Sequence, residues 1–410
     1  MKQLLSADRV ITGPDVYEDG AVLIEDNRIR VAGPADEIAD DSADEVRQFP
    51  GYTIMPGLVD GHVHISGPDI ETGATEDLVQ DSPSEVTVRT IENARRTVEA
   101  GVTTVRDLGS PNDTAMTVRD AIRAGTFPGP RILTAGQGLS ATGSHGDLVP
   151  WHVDGHLDTE AGNIGSKGLV VDGEVGVRRA VRRQVRLGAD LIKFWATDGT
   201  GDRGGGRTMS YTESEIRAIV DEANRHGLPV AAHAHDSETI EACVEAGVRS
   251  IEHGLFMDEE AIGVMAAEGT YLTLTYATMH RLANWEQFGN ETTHAALENS
   301  RSLLPKARER GVDIAMGTDA GTVTENGENP IELVHMVDAG FTPLEAIRAA
   351  TIVSSKMLGV DGTVGRLEAG YAADLVAVRG NPLADVSILS DPDRVDFVLR
   401  DGNIVKHTGS

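Results

Sequence analysis

Residues 57–65 read Gly-Leu-Val-Asp-Gly-His-Val-His-Ile, and the two imidazoles near their end set how the rest of the chain is read. The stretch from Thr53 to His64 is rich in strand formers and predicts a β-strand. Side chains alternate along a strand, so His62 and His64 lie on one face and can reach a single metal ion. On its own His-x-His is a weak signal, because two polar residues at a strand end need no ligand. Its weight comes from what recurs downstream.

Seven further strands are predicted at Thr103–Leu108, Arg131–Ala135, Leu191–Ala196, Pro229–His235, Ser250–His253, Tyr271–Tyr276 and Asp313–Gly317. Between most of them lie amphipathic stretches with helical spacing, such as residues 84–101, 176–188, 212–227, 236–247 and 299–311. Several open on Ser, Thr or Asp and close on Gly, as helix caps do. Eight strands alternating with helices predict an α/β fold, a (β/α)8 TIM barrel.

The ends of the chain read differently. Residues 1–52 and 361–406 hold short strands, with turn residues at Gly13-Pro14, Asp26-Asn27, Gly33-Pro34 and Asp401-Gly402. They predict a small β-sandwich domain built from both termini, and hence a division into residues 1–57, a barrel at 58–358, and residues 359–410. A barrel of roughly 250 residues plus such a domain accounts for the 410-residue length.

Composition narrows the partners. Sixty-five acidic against 36 basic residues give a net charge of −29, which opposes nucleic acid and anionic membrane surfaces. Only six of the basic residues are Lys. The acidic, Lys-poor balance fits solubility in high salt or simply a GC-rich genome. The single Cys243 excludes an internal disulfide, and it is expected as a small apolar residue on the helix after Asp236. The first residues lack the apolar core of a signal peptide, and no apolar run approaches the ~20 residues a membrane span needs. A cytoplasmic protein acting on a small molecule is expected.

The chemistry comes from polar residues at strand ends. Lys193 interrupts the apolar stretch Leu-Ile-Lys-Phe-Trp-Ala at 191–196. A buried Lys is costly unless paired or neutral. Pairing with Asp190 or Asp198 is one reading. In the other, the neutral amine takes up carbon dioxide, and the resulting carbamate bridges two metals. His233 and His235 repeat the His-x-His spacing; one is expected on a metal, the other facing substrate or filling the mouth. His253 closes the next strand. Asp319, in Gly-Thr-Asp-Ala-Gly, reads either as a helix N-cap or as a metal ligand that exchanges a proton with bound water. The donors are all nitrogen and oxygen, which suits Zn²⁺. Two such ions would provide hydroxide at neutral pH.

Loops of unusual length follow the first and third strands, at 65–83 and 137–173. The second holds His145, Trp151, His152 and His156. Long loops on that face tend to be lids or binding loops.

The ordered set MPGLVDGHVH, the Lys193 strand, HAH, IEHG, GTDAG and GRLEAGYAADLVAVRGNPLAD resembles the amidohydrolase superfamily over nearly the whole chain. Within it, the wording is similar to the prolidase-like and imidazolonepropionase-related branch with a binuclear metal centre. The resemblance implies that His62, His64 and Asp319 hold the more buried of two divalent ions, most readily Zn²⁺, and that His233 and His253 hold the other. Lys193, as N6-carboxylysine, would bridge them. Asp319 would carry a proton to the leaving nitrogen. His145 resembles a substrate-facing position. Tyr276, read as the end of a strand, His235, Arg203 and Arg207 are further candidates for substrate contact.

The implied reaction is hydrolysis of an amide or peptide bond in an Xaa-Pro-type dipeptide or an N-acyl amino acid. A cyclic-amide hydrolase (imidazolonepropionase-, hydantoinase- or dihydropyrimidinase-like) or a deaminase is the alternative, and Lys193 counts against its one-metal members. A barrel that has lost its chemistry should lack ligands, and none is missing. The resemblance also implies assembly into homo-oligomers.

Overall fold

The structure, a computed structural model, describes residues 1–38, 43–68, 81–147, 168–200, 205–285, 289 and 291–408. Ten strands are parallel: β5 (Leu58–Val63), β6 (Val102–Asp107), β7 (Arg131–Thr134), β8 (Gly138–Ser140), β9 (Gly168–Val170), β10 (Ile192–Trp195), β11 (Val230–Asp236), β12 (Ser250–Phe256), β13 (Tyr271–Thr273) and β14 (Ile314–Ala315). They form one sheet in the order β5-β6-β7 and another in the order β14-β13-β12-β11-β10-β8-β9. The expected parallel α/β fold is present.

Four expected boundaries shift. The strand read at Thr53–His64 is divided at Gly57, where Thr103 leaves no room for a side chain: a Cβ would lie 2.2 Å from its Oγ1. The strand read at Arg131–Ala135 is β7, and β8 resumes after residues 135–137. The strand read at Tyr271–Tyr276 stops at Thr273, and Tyr276 opens a helix, Tyr276–Asn284. The strand read at Asp313–Gly317 is only Ile314–Ala315.

The helices between strands form for local reasons. Ser82 accepts the Glu85 N–H while the Glu85 carboxylate accepts from the Ser82 N–H, a capping box that starts Pro83–Glu99. Thr212 and Glu215 do the same for Glu213–Arg225. Their apolar faces, including Val86, Ala94, Val98, Ile216, Ile219 and Val220, are buried in the main core. Cys243 is buried on the helix Ser237–Ala246, as expected, and Asp236 caps that helix.

Both termini meet in a mixed sheet of seven strands, ordered β17-β16-β15-β4-β1-β2-β3. Its strands are β1 (Lys2–Ile11), β2 (Val16–Glu25), β3 (Arg28–Pro34), β4 (Glu45–Pro56), β15 (Leu375–Arg379), β16 (Val395–Arg400) and β17 (Asn403–His407). Hydrogen bonding runs through all seven strands. The reason is β4, whose residues Glu45–Ile54 pair with β1 while Tyr52–Pro56 pair with β15. Leu5, Val10, Ile24, Ile54, Leu375 and Phe397 gather in its own apolar cluster. Among the described residues, no helix is long and apolar enough to cross a membrane.

Backbone hydrogen bonds also link the first parallel strand to the last. Gly61 N–H donates to Met316 O (2.9 Å), and Thr318 and Asp319 N–H donate to His62 O (3.2 and 2.8 Å). Asp60, fully buried, ties this seam: it accepts from His62 N (3.0 Å), Thr318 N (3.2 Å), Thr318 Oγ1 (2.6 Å) and Asn329 Nδ2 (2.8 Å). Burial alone would raise its pKa, and it does, against the pull of those donors.

Two predictions follow from this packing. Asp60→Ala strands four buried donors, so it should lower unfolding stability by about 3–5 kcal/mol, read by denaturant titration. The second concerns His280, which stacks on His335 with ring centroids 4.3 Å apart. Burial, then the neighbouring His335 and Arg301, push its pKa down to about 4 against the opposing Asp338. The unfolded chain, with an ordinary histidine near 6.5, therefore binds the extra proton. Stability should fall as pH drops from about 6.5 toward 4, and His280→Phe, which keeps a stacked ring, should flatten that slope in pH-dependent melting curves.

Candidate metal centre

β5 delivers His62, and the turn after it delivers His64. The last parallel segment delivers Asp319, held in the left-handed region at φ +57. Asp tolerates that conformation better than most residues. The reading of Asp319 as a helix cap fails, because a turn follows it and not a helix. Glycines allow the close approach here: a Cβ on Gly321 would lie 1.8 Å from His64 O.

His62 Nδ1 lies 2.9 Å from Glu252 Oε2, and His64 Nδ1 lies 2.8 Å from Gly109 O. Both partners only accept, so both Nδ1 atoms carry the proton and donate. Nε2 is then the ring nitrogen left to meet a ligand. These two nitrogens face Asp319 Oδ1 at 3.5 and 3.3 Å. Oδ1 is buried and accepts no hydrogen bond. The carboxylate oxygen and the two nitrogens form a donor set that fits a divalent metal. His62, His64 and Asp319 form a group of His and carboxylate donors whose atoms all lie within 4.8 Å of one another.

A second set of imidazoles adjoins it. Ring centroids of His253 lie 4.9 Å from His62, 4.6 Å from His233 and 5.2 Å from His235. β11 and β12 are neighbours in register, with Ala234 opposite His253. His253 Nδ1 meets Thr275 Oγ1 at 2.7 Å, which turns its Nε2 inward. His233 Nε2 lies 3.4 Å from Asp198 O, which leaves Nδ1 for a ligand. Burial, then the surrounding imidazoles, hold His233 and His253 well below the usual histidine pKa, so both are neutral donors at physiological pH. His253 also takes a positive φ of +73, uncommon for a side chain of its size and the sort of strain found at functional sites.

Lys193 is only 1% exposed, on β10 beside β11. Its strand pairs with that of His233, with Lys193 opposite Ala231 and Trp195 opposite His233. Asp190 is engaged by Arg119 (2.7 Å) and the Thr134 N–H (3.0 Å). Asp198 accepts from the Thr208 N–H at 2.9 Å.

The outer candidates divide. His145 stacks on His233, with centroids 5.1 Å apart and planes 19° apart. Arg207 is exposed beside the site, its guanidinium 4.2 Å over the Phe256 ring. Tyr276 is not brought to the imidazoles by its hydroxyl, which pairs with Ser300 Oγ at 3.1 Å in the packing between helices. Arg203, Trp151, His152 and His156 lie outside the described residues.

Residues missed in the sequence support the ligands from behind. Glu252 accepts from Arg106 Nη2 (2.7 Å) and Ser250 Oγ as well as from His62. Burial favours its neutral form, yet Arg106 and His62 outweigh that and hold its pKa below the usual carboxylate range. Asp107 accepts from Ile65 N (3.0 Å), Thr134 Oγ1 (2.7 Å) and Ser110 Oγ (2.8 Å), fixing the turn beyond His64; burial pushes its pKa up to about 6. The available signal was a charged residue inside an otherwise apolar strand next to a candidate ligand: Asp60 before His62, Glu252 before His253.

Three comparisons bear on this geometry. The model of the amidohydrolase family matches residues 53–405. The chain is 32% identical over 371 residues to ochratoxinase from Aspergillus niger, covering 87% of this chain and 76% of that protein. Its structure is similar to that of a Xaa-Pro dipeptidase with bound methionine, with TM-score 0.88 and 33% identity over 98% of this chain and 99% of the other. It is equally similar to a prolidase complexed with N-methylphosphonate-L-proline, with TM-score 0.89 and 30% identity over the whole of both chains.

If Glu252 orients His62, Glu252→Gln should weaken metal binding about 10- to 100-fold in a competition titration with a chelating dye. Unchanged affinity in a folded variant would refute that role.

Proposed function

The chain belongs to the amidohydrolase family, and from that membership we propose a binuclear hydrolase that cleaves the amide bond of a dipeptide, Xaa-Pro in type, or of an N-acyl amino acid. Hydrolysis of carbon–nitrogen bonds is the common activity of the family and of the relatives named above. The observation that carries the finer reading is Lys193, 1% exposed on β10 beside the strand of His233, where burying a charge is costly.

In this reading His62, His64 and Asp319 hold one divalent ion, and His233 and His253 hold a second. Lys193 would serve as a further ligand as N6-carboxylysine: its Nζ attacks carbon dioxide, a C–N bond forms, a C=O π pair moves onto oxygen and the nitrogen's proton passes to solvent water. When bound, the ions, Zn²⁺ by donor type, would supply Lewis acidity. Asp319 takes the proton of the attacking water on its carboxylate and passes it to the leaving nitrogen. His145, stacked on His233, and His235 line the substrate side. The scaffold is a (β/α)8 barrel at 58–358 with a terminal β domain at 1–57 and 359–410.

A cyclic-amide hydrolase is the second reading, and the burial of Lys193 weighs against those members that work with one metal. A hydrolysis panel of Xaa-Pro, other dipeptides, N-acyl amino acids and cyclic amides separates the two. Lys193→Ala should lose at least one metal and lower kcat on the order of 10³-fold, with partial recovery in added short carboxylic acids that replace the carbamate. Full activity with one metal in that variant would overturn the binuclear reading.

A further inference from the structure

The rim of the site carries a cation with no role in the scheme above. The segment after β10 returns to the site through residues 205–210 and is fastened there. Asp198 N–H donates to Thr208 O (3.2 Å), Thr208 N–H to Asp198 Oδ1 (2.9 Å), and Ser210 N–H to Ala196 O (2.7 Å). Thr197 and Met209 form an antiparallel bridge between the two arms. Arg207 is thus flanked by two fixed points. On one side Thr208 is locked to Asp198, whose carbonyl lies 3.4 Å from His233 Nε2. On the other, Gly206 lies flat on His235: a Cβ there would come 2.9 Å from the ring, and the residue takes φ +81.

The side chain is fixed as well. Its guanidinium lies 4.2 Å over the ring of Phe256, which ends β12 three residues beyond His253. Stacking occupies a face of the guanidinium and leaves the N–H edge open to solvent, the edge that grips a carboxylate in bidentate fashion. No carboxylate among the described residues forms an ion pair with Arg207. The chain carries a net charge of −29, so an anionic ligand needs a local cation to approach.

We propose that Arg207 is the anchor for the free carboxylate of the substrate and so restricts the enzyme to the C-terminal amide bond of short acids. This rests on the amide-hydrolase reading and names the substrate feature that the site selects. Arg207 touches substrate only at that carboxylate; the reacting atoms are handled by the histidines, Lys193 and Asp319.

The test pairs dipeptides and N-acetyl amino acids with their C-terminal carboxamides, on metal-loaded wild type, Arg207→Met and Arg207→Lys. The wild type should prefer the acids. Arg207→Met, which keeps an apolar stem on Phe256, should raise KM for the acids about 10- to 100-fold, the worth of one charge-assisted contact. Its kcat should stay within about twofold, its KM for the carboxamides should not move, and Arg207→Lys should recover part of the loss. Equal loss on acids and carboxamides, or a wild type indifferent to the carboxylate, overturns the proposal.

Calorimetric binding of L-proline and L-methionine against prolinamide and methioninamide keeps the two readings apart. If no amide is hydrolysed but the free acids bind and Arg207→Met abolishes that binding, the anchor stands and the amide-hydrolase reading falls. If amides are hydrolysed and the acids bind Arg207→Met as tightly as wild type, the reverse holds.

Discussion

The Oδ1 atom of Asp319 faces the Nε2 atoms of two histidines inside the protein, and that arrangement governs the rest of the site. Each ring spends its Nδ1 on an acceptor, Glu252 for His62 and Gly109 O for His64, and so presents Nε2 to Asp319. The carboxylate oxygen and the two nitrogens, 3.3–3.5 Å apart, form a donor set that suits a cation. The scaffold places them there deliberately: Asp60 pins the backbones of His62 and Thr318, and Arg106 fixes Glu252 from below. The three donors are thus held in place by partners of their own, as a metal site requires.

The same logic extends outward along the parallel strands. Register places His253 beside the His233–His235 pair, and burial holds His233 and His253 in their neutral form. Lys193 lies on the neighbouring strand β10, itself buried. Beyond the imidazoles, Arg207 stands at the solvent boundary. In the proposed reading, Arg207 there would hold an acid with its carboxylate outward and its amide inward.

Much of this was legible in the sequence, for particular reasons. Period-two alternation puts His62 and His64 on one face of their segment, and His233 and His235 on one face of theirs, while His253 lies within the next strand and Asp319 follows the last one. Alternating strands and helices gave the parallel fold. What escaped was set by tertiary contact. Asp60 and Glu252 look like ordinary strand residues until their partners arrive from segments up to 269 positions away, as Asn329 does for Asp60. Tyr276 was read as a strand end because aromatic residues favour strands, but Glu332 accepts its N–H and starts a helix there. The pairing of one long strand, β4, with β1 on one side and β15 on the other escaped because pattern shows alternation and not partners.

The central claim is a pair of divalent ions held by five side chains and a modified lysine. Metal content per chain, measured by plasma mass spectrometry on protein kept from chelators, together with a ¹³C carbamate resonance after exposure to ¹³CO₂, tests it most directly. Two ions per chain and one carbamate signal, lost in Lys193→Ala, are predicted. A fully active protein with one ion and no carbamate would contradict it.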